Sequence, residues 1–323
     1  MYSDDFMDDI LSSVRYTPPT VPTEDEIDCD IVPNELPVGH VLRGYKILKN
    51  IGEGGFGLTY LAEEKALERK VVLKENFPGT LCHREKGTLD VVLSSPERGD
   101  DTFQWAHNNF MREARLLAAL DHPNIAKVYS FFTAHRTSYY VMEHIDGKSL
   151  ADAVNDYVTH GRTVPQEALL GLMIRMLDAL DYLHSRQILH RDIKADNILI
   201  NKRGMPILID FGAAREGFGD PDSSVVESVG FSPPEQSSAD GNMGPWTDLY
   251  AFGATLYYVF TRQPLSGCRQ RELYDSTEPI AEHPELSKLY DRRILESIDR
   301  SIRLAITERY QSAADWIADL NIE

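Results

Sequence analysis

Short segments that alternate apolar and polar residues dominate the chain from Gly44 to about His144. This period of two is typical of strands with one buried face. Between the third and fourth segments, Thr102–Leu120 carries apolar residues at helical spacing after two aspartates, which predicts an amphipathic helix. The predicted strands are Tyr45–Ile51, Leu58–Glu63, Arg69–Glu75, Ala126–Phe132 and Ser138–His144.

After Gly147 the spacing becomes mainly helical, with two short strand-like segments at Asn197–Ile200 and Pro206–Ile209. A β-rich first part followed by a larger helical part predicts an α+β protein of two lobes with a cleft between them. The clearest helices are Pro165–His184, Trp246–Phe260 and Arg292–Ala305.

The first 36 residues differ from the rest in charge. They hold ten acids and one base, a net charge of -9, which is half of the chain's formal -18. Prolines across 15–37 predict a linker, and Ser3 could cap a short helix over the first fourteen residues. A disordered tail explains those fourteen equally well, so a docking segment and a tail stay open as alternatives.

Composition narrows the functional classes. An acidic chain does not predict a nucleic-acid partner, since such surfaces use Lys and Arg to neutralise phosphates. No run approaches the roughly 18 apolar residues of a spanning helix, and the first residues lack the basic start of a secretory signal. We therefore expect a cytoplasmic protein with no membrane span. Three distant cysteines, Cys29, Cys82 and Cys268, predict reduced thiols rather than disulfides.

The glycine-rich segment at 52–57 is the first candidate for chemistry. Its order of glycines suits either a dinucleotide fold or a loop over the phosphates of ATP. A dinucleotide fold needs a helix directly after the glycines, whereas Leu58–Glu63 has strand character. A hairpin whose backbone N–H groups approach phosphates is therefore favoured.

Two charged residues on separate elements could complete a phosphate site. Lys74 ends an apolar strand segment, and Glu113 lies near the middle of the predicted helix 39 residues later. Each alone is an ordinary surface charge. As a pair, the carboxylate could hold the ammonium against the α- and β-phosphates of a nucleotide.

The most specific motif is His190-Arg191-Asp192, followed by Lys194 and Asn197. Eighteen residues after Asp192 comes Asp210-Phe211-Gly212, preceded by an apolar run. Transfer of a γ-phosphoryl group needs an acceptor for the hydroxyl proton, a role that Asp192 fits. Asn197 and Asp210 offer the oxygen ligands that Mg²⁺ takes, with Mn²⁺ as a possible substitute.

These motifs in this order resemble the protein kinases, specifically the bacterial Ser/Thr kinases of eukaryotic type. The resemblance runs from about Gly39 to the C-terminus. It implies an acidic leader at 1–37 and a kinase domain at 38–323, with an N-lobe over about 38–143 and a C-lobe over about 147–323. It also implies nucleotide contacts at Ile51, Gly52, Glu53, Gly54, Gly55, Phe56, Gly57, Thr59, Val72, Lys74, Met142, Glu143, Ile145 and Leu199.

The resemblance further implies roles in specificity and in the peptide platform. Lys194 is the lysine by which Ser/Thr kinases steady the γ-phosphate, and Ser228 takes the position of a threonine that bonds the catalytic aspartate. Glu235 and Arg309 would pair beneath the peptide-binding platform, and Asp248 would anchor the catalytic loop.

Control by phosphorylation is a hypothesis. Ser223, Ser224 and Ser228 lie on the segment between Asp210 and Glu235, and in such kinases Arg191 pairs with a phosphate there. Autophosphorylation at Ser223 or Ser224 would order the segment through a charge-assisted hydrogen bond. Solvated loop serines are an equally good explanation.

The function expected is ATP-dependent phosphorylation of Ser and Thr in proteins, including the chain itself. A pseudokinase-like nucleotide-binding module is one rival, although all six catalytic and metal residues are present. A small-molecule phosphotransferase is another, although it would not need the Pro-Pro-Glu platform at 233–235.

The acidic residues 1–36 could dock on a partner. The chain departs from the usual family pattern in two places. In the adenine pocket, Thr59 stands where the family usually has Val, and the bulkier Val72 stands where it usually has Ala. The connection from Lys74 to Glu113 is also longer than in most kinases.

Overall fold

The computed structural model describes residues 34–54, 57–94, 96–217, 228–238 and 241–320, with only the backbone at 96–101. The contacts divide the chain into two compact units. We call them the N-terminal unit, which contains the described residues up to Asp121 and also Ala126–Ile145, and the C-terminal unit, which contains His122–Ile125 and the described residues from Asp146. The helix predicted near Ser3 lies outside the described residues, so the leader stays a sequence-based prediction.

The N-terminal unit is built on a six-stranded antiparallel sheet in the order β1-β2-β3-β4-β8-β7. All five predicted strands are confirmed, most of them slightly longer or shifted at one end. A separate two-stranded ribbon pairs β5 with β6. The strands are β1 (Val41–Leu42), β2 (Tyr45–Gly54), β3 (Gly57–Glu64), β4 (Arg69–Asn76), β5 (Cys82–Arg84), β6 (Val91–Leu93), β7 (Val128–Ala134) and β8 (Thr137–Glu143).

Strand alternation gives this sheet two different faces. On one, Tyr60, Leu73 and Tyr139 are fully buried in an apolar cluster that also takes Leu36 and Cys82. Burial raises the pKa of the Cys82 thiol to about 12, so this cysteine stays protonated at neutral pH.

The β5–β6 hairpin is fixed to that same face by a buried ion pair. Arg84 contacts Glu75, and neither side chain is exposed. Glu75 also accepts hydrogen bonds from the hydroxyls of Tyr60 (2.9 Å) and Tyr139 (2.5 Å). A buried carboxylate is tolerated only when its oxygens are paired in this way. The hairpin turns at Gly87, whose φ of +89° suits glycine.

Helix α1 spans Pro96–Ala118, so the predicted start at Thr102 is wrong by six residues. Proline is favoured in the first helical turn, where its missing N–H costs no hydrogen bond. Residues 96–101 read Pro-Glu-Arg-Gly-Asp-Asp, so the apolar period that marks a helix gives no signal there.

The C-terminal unit is mainly helical. Its helices are α2 (Leu150–Thr159), α3 (Gln166–His184), α4 (Pro245–Thr261), α5 (Cys268–Leu273), α6 (Leu286–Leu289), α7 (Arg292–Ser301) and α8 (Ala313–Leu320). Its short strands are β9 (Gly147–Ser149), β10 (Ile188–Leu189), β11 (Ile198–Asn201), β12 (Pro206–Leu208) and β13 (Arg215–Glu216). The core lies along α3 and α4, where Leu177, Leu180 and Phe252 are fully buried.

One predicted helix boundary in this unit is wrong. The helix predicted to reach Ala305 ends at Ser301. The backbone carbonyls of Arg303 and Leu304 instead accept hydrogen bonds from the guanidinium of Arg309, which removes them from any helical ladder. Within the described residues, no helix is both long and apolar enough to cross a membrane.

Candidate active site

One face of the N-terminal sheet gathers the residues predicted to surround a nucleotide. Cross-strand pairs join Gly52 to Thr59, Thr59 to Lys74, and Val72 to Met142. Residues directly opposite each other in antiparallel strands share a face, and so do residues two apart on one strand. Thr59, Val72, Lys74 and Met142 therefore lie on the same face, across from the apolar cluster.

Lys74 and Glu113 are brought together as the sequence predicts. Lys74 Nζ lies 3.2 Å from Glu113 Oε1, and the same oxygen accepts a hydrogen bond from the hydroxyl of Tyr140 at 2.8 Å. The ammonium also lies 5.7 Å from the centre of the Tyr140 ring. Sequence reasoning missed Tyr140, although its position directly opposite Lys74 in β8 could have been found once the strands were paired.

The glycine segment forms the end of the β2–β3 hairpin. A Cβ at Gly57 would overlap the carbonyl oxygen of Glu75, so this close approach requires glycine. The Gly52 N–H is held by the side chain of Asn50 at 2.9 Å, and Ile51 and Glu53 are exposed. Gly55 and Phe56 lie outside the described residues.

The predicted hinge follows β8. Met142 is buried, whereas Glu143 and Ile145 are half-buried. The Glu143 N–H donates to the carbonyl of Lys127 at 2.8 Å, so this N–H is already used within the sheet. Leu199, also predicted to touch adenine, is a half-buried residue of β11 in the C-terminal unit.

In the C-terminal unit a buried carboxylate organises the catalytic segment. Asp248 accepts hydrogen bonds from the backbone N–H groups of His190 and Arg191, both at 2.9 Å, and lies 2.9 Å from His184 Nε2. Burial by itself raises the pKa of Asp248, but the hydrogen bonds outweigh it and hold the pKa below its usual range. His184 is a partner that the sequence reasoning missed.

Asp192 is held by four hydrogen bonds from three side chains. Its Oδ1 accepts from Ser228 Oγ at 2.5 Å, and its Oδ2 from Asn197 Nδ2 at 2.9 Å. Lys194 Nζ reaches both oxygens, at 3.1 and 2.8 Å. The four residues predicted from the motif and from the resemblance are therefore brought into one constellation, and the carboxylate is fixed in orientation.

The predicted metal ligands lie at one end of a small hairpin. Strand β11 pairs with β12, and the Ile209 N–H donates to the Asn197 carbonyl at 2.9 Å. Asp210, the next residue after Ile209, therefore lies close to Asn197. The Asn197 amide nitrogen is committed to Asp192, which turns its Oδ1 the other way. One amide oxygen and one carboxylate suit a hard cation that keeps further oxygen ligands from phosphate and water.

The platform pair implied by the resemblance is present. Arg309 donates to Glu235 at 2.7 and 3.2 Å, and both side chains are buried. Thr247 on α4 donates to the same carboxylate at 3.1 Å. This bidentate geometry fixes the turn at Pro234–Ser237 against the C-terminal end of the unit.

The predicted regulatory residues are only partly placed. Arg191 is buried, and its carbonyl accepts a hydrogen bond from Gln236 at 2.6 Å. Ser228 contacts Asp192, as described above. Ser223 and Ser224 lie outside the described residues, so autophosphorylation there stays a prediction.

Comparison with known proteins identifies this arrangement. Residues 45–302 match the family model described as "Protein kinase domain". The chain belongs to the protein kinase family. The chain also shares 31% identity and a TM-score of 0.78 with the solved structure titled "PpkA-294 apo form", covering 89% of this chain and all of that one. The bilobal kinase fold predicted from sequence is thus confirmed.

Bacterial serine/threonine-protein kinases are among the curated relatives of this chain. Serine/threonine-protein kinase PknA of Nostoc is 31% identical over 86% of this chain and 47% of its own length. Serine/threonine-protein kinase C of Synechocystis is 32% identical over 83% and 48%, and PrkC of Bacillus subtilis is 31% identical over 85% and 40%. The chain spans about half the length of the curated relatives it matches.

Proposed function

We propose that this chain is a serine/threonine protein kinase that transfers the γ-phosphoryl group of ATP to hydroxyl groups of proteins, itself included. The observation that carries the proposal is the constellation of Ser228, Lys194 and Asn197 around the carboxylate of Asp192. The relatives' names, all serine/threonine-protein kinases, agree with it.

The four hydrogen bonds to Asp192 suggest how a substrate enters. A carboxylate has about four acceptor positions, and here protein donors take all four. Ser228 and Asn197 are held by their own backbone segments, whereas Lys194 has a long side chain with 27% of its surface exposed. Lys194 is therefore the donor that a substrate hydroxyl displaces, and its ammonium then turns to the transferring phosphoryl group.

In the transfer, the hydroxyl oxygen forms a bond to the γ-phosphorus while the bond from that phosphorus to the β-bridging oxygen breaks. Asp192 orients the hydroxyl and takes its proton. Lys74, held by Glu113, is placed to bind the α- and β-phosphates. Mg²⁺, for which Asn197 and Asp210 are the proposed ligands, neutralises phosphate charge when bound.

The acceptor specificity is tested by the chemistry of the product. Purified protein is incubated with labelled ATP, Mg²⁺ and a generic basic protein, and the labelled amino acids are separated after hydrolysis. We expect phosphoserine and phosphothreonine. Label on tyrosine alone, or on a small molecule such as an aminoglycoside but on no protein, would refute the proposed substrate class.

A further inference from the structure

A cavity of about 240 Å³ lies in the N-terminal unit between α1 and the β7–β8 hairpin. It lies on the face of the sheet that α1 covers, beside Ser138, which is two residues before Tyr140 on β8. None of the proposed catalytic or nucleotide-binding residues lines it. Its lining residues are His107, Thr133, Ala134, Arg136, Thr137 and Ser138.

One buried polar group that lines this cavity, and a second that lies beside it, lack hydrogen-bond partners among the described residues. Ser138 is fully buried, and its hydroxyl has no hydrogen-bond partner among the described residues. Glu75 pairs with Tyr139, so the next residues along, Asn76 and Ser138, face each other across the strands. The Asn76 side chain is also fully buried, and neither its amide nitrogen nor its oxygen is bonded within the described chain. Such groups carry a desolvation cost until a polar ligand meets them.

The polar groups around the cavity favour an anion. Arg136 is exposed at its edge, and Thr133 lies directly opposite Ser138 across the hairpin. None of the described lining residues is acidic. A guanidinium beside hydroxyl and amide donors is the donor set that binds a carboxylate.

The first described residues lie at the same end of the sheet as this cavity, although on its other face. Arg84 Nε donates to the Asn34 carbonyl at 2.6 Å, and the ring of His40 lies 5.3 Å from that of His135, the neighbour of Arg136. The Val91 N–H of the same hairpin as Arg84 donates to the His135 carbonyl at 2.8 Å, so Asn34, the first described residue, lies near the β7–β8 turn. Five acids lie four to ten residues upstream of Asn34, within about 13–33 Å of extended chain at roughly 3.3 Å per residue. They are Glu24, Asp25, Glu26, Asp28 and Asp30.

We propose that the cavity binds a carboxylate of residues 24–30 of the same chain, through Arg136 and the Ser138 hydroxyl. The leader is thereby attached to α1, because His107 on that helix forms one wall of the cavity. Glu113, the partner of Lys74, lies on the same helix six residues later. The proposal concerns binding alone and stands or fails independently of catalysis.

Cross-linking of the full chain tests it. Carbodiimide joins a lysine amine to a carboxylate in contact with it, so the Arg136→Lys variant makes the cavity reactive. Mass spectrometry of the digest then locates the partners of position 136. The controls are Lys86 and Lys49, which are exposed native lysines of the same unit and are equally reachable by an unattached leader.

We expect cross-links from position 136 to residues 24–30 at least about fivefold more abundant than those from either control lysine, because a bound carboxylate has a high local concentration. A 1:1 mixture of isotope-labelled and unlabelled chains should show them within one copy. Equal yields at the three lysines, or links between copies, would overturn the proposal.

Amide hydrogen exchange supplies a readout without a new lysine. Segment 133–138 should exchange about fivefold more slowly in the native chain than in a variant with five leader substitutions, Glu24→Gln, Asp25→Asn, Glu26→Gln, Asp28→Asn and Asp30→Asn. The segment Gln166–His184 of the C-terminal unit, which contributes no residue to the cavity, is the internal control and should not change. Identical exchange of 133–138 in the two proteins would contradict binding of the leader.

Discussion

Asp192 shows how single residues fix the chemistry of the site. Ser228 reaches it from 36 residues away in sequence and Asn197 from five, and each approaches a different oxygen. Their donors orient the carboxylate, whereas Lys194 contacts both oxygens. In the proposed reaction, the two short side chains position the carboxylate, and the long side chain of Lys194 stabilises charge.

Ser228 gives a prediction at this scale. Ser228→Ala removes a charge-assisted hydrogen bond to Asp192 and should lower kcat on the order of tenfold, with KM for ATP little changed. Ser228→Thr keeps the hydroxyl and is the matched control, expected to retain most activity. Steady-state kinetics decide, and equal losses in the two variants would show that the hydroxyl has no positioning role.

At the scale of elements, the β5–β6 hairpin is connected to the sheet by the Glu75–Arg84 pair. Arg84 also donates to the carbonyls of Asn34 and Leu89, so one side chain joins the hairpin, strand β4 and the first described residues. The ion pair of Arg69 and Glu64 in the same sheet differs in burial, because Arg69 has 40% of its side chain exposed whereas Arg84 is fully buried.

Removing Arg84 should therefore destabilise the N-terminal unit strongly. Arg84→Met leaves Glu75 buried without its cation, at a cost of about 3–5 kcal/mol in the free energy of unfolding. Adding Glu75→Gln should recover part of the loss. Arg69→Met, the surface control, should lower the free energy of unfolding far less, because solvent screens an exposed ion pair. Urea unfolding curves measure all three, and a small loss for Arg84→Met would contradict the structural role given to the pair.

At the scale of the whole molecule, the two units should respond to acid in different ranges of pH. In the N-terminal unit, burial lowers the pKa of both His40 and His135, and the charge of Arg84 adds to the effect. In the C-terminal unit, the hydrogen bonds to Asp248 lower its pKa. A lowered pKa in the folded state means that stability is lost as the pH falls below the unfolded value.

The stability of the N-terminal unit should thus begin to fall below about pH 6.5, and the contribution of Asp248 only below about pH 4. Urea midpoints of the native chain at pH 7.5 and 5.5 should differ more than those of the His40→Gln/His135→Gln variant. His283→Gln alters an exposed histidine of the other unit and should behave as the native chain does. A native chain whose midpoint does not change over this range would refute the prediction.

Much of this organisation could be predicted from the sequence, because strand alternation and local motifs are encoded by neighbouring residues. The pairing of Lys74 with Glu113 was predictable from the motif set, whereas Tyr140 required the register of β4 and β8. His184 was missed because a histidine at a helix end has no local signature of its partner Asp248, 64 residues later. The start of α1 at Pro96 was missed because its first turn carries no apolar period.

The most direct test of the account is a paired measurement on the native chain and Asp192→Asn. For each protein, the rate of phosphoryl transfer from labelled ATP with Mg²⁺ is measured together with the Kd for nucleotide. We predict that the rate falls about 10²–10⁴-fold in the variant while Kd changes little, because Asp192 acts on the hydroxyl rather than on the nucleotide. An undiminished rate in Asp192→Asn, or nucleotide binding without transfer by the native chain, would contradict it.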